Sequence, residues 1–137
     1  MVRDLILGKY HSHYEYIYHS PEWRQKKKEA YEMARKMGRY YCVVCWSPKN
    51  LVLNHMHYES IGKEDIWTDL NWMCKACHHN FHFDFWGKKQ PFTRYAMRRR
   101  LHILIFRRAL RQTLLFPFTG KLRPAEIIWY GILSLLT

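Results

Sequence analysis

Between Asp84 and Glu126 the chain has no acidic residue, although eleven bases lie in that stretch: Lys88, Lys89, Arg94, Arg98, Arg99, Arg100, Arg107, Arg108, Arg111, Lys121 and Arg123. The absence argues against an evenly balanced solvated face and for a surface that meets a polyanion, of which nucleic acid is the commonest. The plainer alternative is a solvated helix face. A net charge of +12 comes almost wholly from this block, because elsewhere twelve bases face ten acids. Long apolar runs are also missing. The carboxyl-terminal stretch Ala125 to Leu136, interrupted by Glu126 and Ser134, falls short of the roughly 20 residues that span a bilayer. At the other end, Met1-Val2-Arg3-Asp4 meets charge after two residues and has no signal-peptide core. With only four cysteines, all in pairs, the expectation is an intracellular protein, not secreted and not a membrane protein, whose thiols hold metal in a reducing compartment.

A chain of 137 residues with 48% hydrophobic content can bury one modest core, so its segments are expected to belong to one compact body. Residues 1–19 read as an aromatic, histidine-rich arm without a clear period, packing onto something else. In residues 20–90, Ser20-Pro21-Glu22 predicts a helix start, with a serine cap, proline in the first turn and an acid at the positive end of the dipole. That helix should stop at Gly38. A strand is expected over Leu51–His57, a loop around Gly62, and a helix near Cys77. The extension 91–137 should hold two helices separated by Phe116-Pro117-Phe118-Thr119-Gly120, the second starting near Pro124. The first should carry an apolar stripe of Ile103, Phe106, Leu110 and Leu114, with Leu101 and Ile105 on another face. A helix buried on two sides suggests wrapping in the core or a homodimer or partner-protein contact.

Two knuckles, Cys42-Val43-Val44-Cys45 and Cys74-Lys75-Ala76-Cys77, supply the strongest signal. Each x₂ spacing bends the backbone so that both sulfurs reach one ion, and four thiolates make a closed tetrahedral zinc site. The competing reading is four buried thiols. Separated by 28 residues, the knuckles enclose a segment longer than the roughly 15–20 residues of simple ribbons. Within it His55 follows Asn54. Directly after it come His78 and His82, four apart and therefore on one helix face.

Taken together, Cys-x₂-Cys, a strand ending in Asn54-His55, Tyr58, Gly62 and Glu64 in the loop, Asp69-Leu70, and Cys-x₂-Cys-His78-x₃-His82 resemble the HNH endonucleases of the ββα-metal (His-Me finger) type. The likeness covers about Tyr40 to Phe83. It implies an α+β fold: a zinc-stapled ββα core flanked by an amino-terminal helix and a basic helical extension. It further implies that His55 is the general base that takes a proton from water attacking a phosphodiester, a task suited to imidazole near neutral pH. Asn54, Asp69, His78 and His82 would then form the metal side of the site. Asn54 stands where aspartate or histidine is common, and Asp69 where the middle asparagine stands. Either can be the stronger ligand. A hard oxygen ligand favours magnesium or manganese, while two imidazoles also accept zinc or nickel. The ion would stabilise the phosphorane charge and the leaving 3′ oxygen, giving 5′-phosphate and 3′-hydroxyl products.

The expected function is thus a metal-dependent DNA endonuclease or nickase. Lys88, Lys89, Arg94, Arg98, Arg99, Arg100, Arg107, Arg108 and Arg111 would grip duplex DNA. The alternative is a catalytically silent, zinc-stabilised nucleic-acid-binding or assembly module; a membrane-surface protein using Trp129-Tyr130 is a weaker third. His57 is only a minor candidate for a phosphate contact, His79 is expected as an exposed residue, and Tyr58 as a packing or orienting ring.

Overall fold

The computed structural model describes residues 13–57, 62–83, 87–89 and 93–136, and in residues 13 and 14 the backbone alone. It is a mixed α+β structure: α1 (His13–His19), α2 (Pro21–Lys36), β1 (Leu51–His55), β2 (Leu70–Cys74), α3 (Lys75–His82), α4 (Arg94–Leu114), the single turn α5 (Phe116–Thr119) and α6 (Pro124–Leu136). β1 and β2 form a two-stranded sheet. Met56 N–H donates to the Asp69 carbonyl at 2.8 Å, and Lys75 N–H to the Asn50 carbonyl at 3.0 Å. Those partners run in opposite order along the chain, so the pair is antiparallel. Strand, strand, helix is the expected order, although β1 ends at His55 and not at His57.

The chain divides into two compact units that cut across the segments drawn from sequence, one comprising Met1–Tyr40 with Leu53–Asn71, the other Tyr41–Val52 with Trp72–Thr137. In the first, Ser20 Oγ accepts a hydrogen bond from Trp23 N–H at 2.9 Å, as the capping motif demands. At the far end of α2, Gly38 takes φ +65°, Arg39 N–H reaches the Ala34 carbonyl at 2.8 Å, and Gly38 N–H the Arg35 carbonyl at 3.2 Å. This is a Schellman closure, which needs the left-handed conformation that glycine tolerates best. Residues 13–19, expected to be aperiodic, form helix α1 instead. Tyr16 explains why: with Trp23 and Leu70 it builds a buried cluster, against which Ile17 and Leu53 pack. His19 is exposed, while His11 lies outside the described residues.

The second unit is built on α4. Its buried line is Met97, Leu101, Ile105, Ala109 and Gln112, a spacing that keeps one helix face inward. The expected stripe departs from this, since Leu114 is 72% exposed and Phe106 serves the packing of α6. There a Cβ on Gly131 would stand 3.2 Å from the Phe106 ring, so glycine permits the close approach of the two helices. The His102 and Tyr130 rings meet nearby, 5.7 Å apart. Residues 116–120, expected as a plain separator, contain the turn α5, closed by Gly120 at φ +64°. Helix α6 presents Ile128, Trp129, Ile132 and Leu135 outward. Among the described residues, no helix is long and apolar enough to cross a membrane.

Candidate metal centre and histidine sites

The four cysteine sulfurs lie within 4.8 Å of one another. Local backbone geometry explains the convergence. In the first knuckle Trp46 N–H returns to the Cys42 carbonyl at 2.8 Å and Cys42 N–H donates to the Ser47 carbonyl at 2.8 Å, with Trp46 at φ +64°. In the second, Cys74 is the N-cap of α3, its sulfur accepting from Cys77 N–H at 3.5 Å. A helix N-terminus favours negative charge, and hence a thiolate. Cys45 and Cys74 sulfurs approach to 3.7 Å. Hydrogen bonds from the Cys42 and Cys77 thiols push Cys45 far below the ordinary thiol range. Hydrogen bonding to Cys42 and Cys45, with burial behind it, pushes Cys77 far above that range. One anion is therefore stabilised by neighbours that cannot themselves ionise beside it. A divalent cation relieves that conflict for all four sulfurs, so the donor set fits a closed structural metal site.

Carbonyls of the first knuckle are held from behind by α4 and the α5–α6 connection. Gln112 Nε2 donates to the Cys45 carbonyl at 2.8 Å, and Lys121 Nζ donates to the same oxygen at 3.0 Å. Arg123 is 2% exposed. Its guanidinium donates to the Val44 and Val43 carbonyls, to Gln112 Oε1 at 2.9 Å, and to both Glu126 oxygens at 2.9 and 2.6 Å. It also lies 4.3 Å over the Trp46 ring. Two of the eleven bases in the acid-free block are therefore braces of the knuckle and not part of a polyanion surface. The signal in the sequence was Glu126, three residues beyond Arg123 and the one acid nearby.

In the other unit His55 is 4% exposed. Its Nε2 pairs with Glu64 Oε1 at 2.9 Å, its ring stacks on Trp23 at 4.5 Å, and Tyr16 Oη donates to Glu64 Oε2 at 3.2 Å. Burial on its own would raise the Glu64 carboxyl, but the His55 hydrogen bond and the backbone N–H groups of Gly62 and Glu64 outweigh it, leaving the group below its usual range. Glu64 is thus anionic and can only accept, so the contact with His55 Nε2 is a hydrogen bond into the carboxylate. Asn54, 2% exposed, donates from Nδ2 to Asn71 Oδ1 at 3.2 Å. That orientation leaves its carbonyl oxygen as the atom able to meet a cation.

Asp69 does work of another kind than the expected ligation. Its Oδ1 pairs with His57 Nε2 at 3.0 Å, while Oδ2 accepts from Asp65 N–H at 2.8 Å. Asp65 Oδ1 in turn accepts from Trp67 and Thr68 N–H at 2.8 and 3.0 Å, closing a one-turn box before β2. His57, a minor candidate for a phosphate contact, is only 7% exposed and holds this box, because β1 has ended before alternation could align it with His55. Tyr58 lies outside the described residues.

On α3, in the unit of the knuckles, His78 and His82 bring Nε2 atoms to 3.1 Å with rings inclined at 81°. Two imidazole nitrogens bound at about 2.1 Å to one ion stand about 3.0–3.4 Å apart, so the pair has the spacing of two ligands. Burial, aided by His79, lowers the His78 pKa and keeps it in the neutral, ligating form. His79 stacks on Phe83 at 4.8 Å and is exposed as expected. Of the nine bases expected at nucleic acid, Lys88, Lys89, Arg94, Arg98, Arg99, Arg107 and Arg111 are exposed and Arg108 is half-buried. Arg100 is committed locally: its Nε donates to the Phe81 carbonyl at 2.9 Å and its guanidinium lies 5.2 Å over the Phe81 ring.

No family model matches the chain, and neither a curated protein nor a solved structure matches it.

Proposed function

We propose that the chain is a metal-dependent DNA endonuclease or nickase of the HNH type, with a zinc-stapled scaffold and a basic helix that engages phosphates. The observation carrying this reading is the held orientation of His55. Glu64 Oε1 stands 2.9 Å from His55 Nε2, and Trp23 stacking holds the ring plane. In its proposed role the imidazole takes the proton of the attacking water. His78 and His82, whose nitrogens have ligand spacing, would hold the divalent ion, and the resemblance adds Asn54 and Asp69. When bound, the ion supplies positive charge for the phosphorane and the departing 3′ oxygen. Asp69 is the weakest member of the set, since both its oxygens are engaged.

A second reading, a silent zinc-stabilised nucleic-acid-binding module, is favoured by the 4% exposure of His55. Nicking of a supercoiled plasmid with magnesium, manganese, nickel or zinc separates the two. The nuclease reading expects nicking that His82→Ala abolishes and Glu64→Gln weakens. Absence of nicking with all four ions, or full activity in His82→Ala, overturns it.

A further inference from the structure

Helices α3 and α4, both in the knuckle unit, enclose a groove of about 560 Å³. Its lining includes Arg107, Arg108 and Arg111 together with Phe83, Ile103 and Leu104. Among the described residues no acid lines it, and those three arginines have no ion-pair partner. Arg107 and Arg111 are one turn apart, about 6 Å of rise, so they can meet neighbouring phosphates of one strand. A duplex presents phosphates outward and keeps its bases paired, which would leave the apolar part of the lining facing water. An unpaired strand uses both features, with phosphates on the guanidinium groups and a base against Phe83 and the aliphatic side chains. The volume falls within the range of roughly 300–1,000 Å³ that takes a nucleotide-sized ligand.

We infer that this groove binds single-stranded DNA. The inference rests on the reading of the chain as a protein that acts on DNA, and it names the form of DNA that one surface takes. It is tested on the full, zinc-loaded chain by fluorescence anisotropy with a labelled poly(dT) oligonucleotide and a labelled hairpin duplex. Arg107→Ala/Arg111→Ala should lose about tenfold or more in oligonucleotide affinity, and the log-log salt slope should fall by about 1.4, the worth of two single-strand phosphates. Duplex affinity should change far less, and the Lys/Lys variant should recover most of the loss. Phe83→Leu should weaken the oligonucleotide about fivefold or more through lost stacking, with the thermal melt confirming that each variant folds. Equal losses on both DNA forms, or none on the oligonucleotide, overturn the inference. Plasmid nicking keeps the two readings apart: arginine-dependent oligonucleotide binding without any nicking leaves the groove standing and removes the nuclease. Nicking without such binding does the reverse.

Discussion

Glu64 shows how much a single buried carboxylate can decide. It is 2% exposed, receives His55 and Tyr16, and has its pKa lowered by the His55 hydrogen bond and two backbone N–H groups in spite of burial. A lowered folded-state value means the unfolded chain binds the proton more readily, so this stabilisation is present above the unfolded pKa, about 4.3. It is lost as pH falls through the lower folded value. Glu64→Gln should therefore cost about 1–3 kcal/mol near neutrality, and the gap to wild type should close in acid. Urea denaturation at a series of pH values checks this; a gap constant with pH would place the effect elsewhere. His55→Ala is a poor test of chemistry, because it strands Glu64 as well.

The connection between α5 and α6 braces the knuckle through Lys121 and, more extensively, Arg123. Arg123 donates to two knuckle carbonyls, to Gln112 and to Glu126. Arg123→Met strands the buried Val44 carbonyl and Gln112 Oε1 while Glu126 keeps access to water, so it should destabilise the chain by about 1–3 kcal/mol, measured by chemical denaturation. Arg98→Met, at an exposed position of α4, should stay within about 0.5 kcal/mol of wild type. Comparable losses in both would show that Arg123 is no brace. At the start of α2, Ser20→Ala removes the cap bond to Trp23 and should cost about 1 kcal/mol, read as a lower urea midpoint.

At the scale of the whole molecule, metal binding and folding should be one event for the knuckle unit. Its four sulfurs lie within 4.8 Å of one another, and four thiolates that close repel unless a cation stands between them. Elemental analysis should find zinc in the wild type, and Cys42→Ser should lose it together with cooperative unfolding. Chelation at neutral pH should abolish the near-ultraviolet signal of Trp46 and Trp72, whereas a signal indifferent to chelator would leave four plain buried thiols.

Local chemistry in the chain was sufficient for several features. Ser20-Pro21 and Gly38 bracket α2 because capping and left-handed closure are matters of a few adjacent residues. The two Cys-x₂-Cys pairs announce a cluster able to hold a metal ion because their spacing brings the sulfurs together. The spacing of His78 and His82 likewise placed both rings on one face of α3. What the tertiary structure decided are the partnerships between distant residues: Glu64 with His55 and Tyr16, Asp69 with His57, Arg123 with Val43 and Val44. A basic residue in a run of bases looks the same on paper whether it faces solvent, as Arg107 does, or lies beneath a knuckle, as Arg123 does. Burial and partner choice arise from packing across some 80 residues of chain, and no periodicity in the sequence encodes that distance.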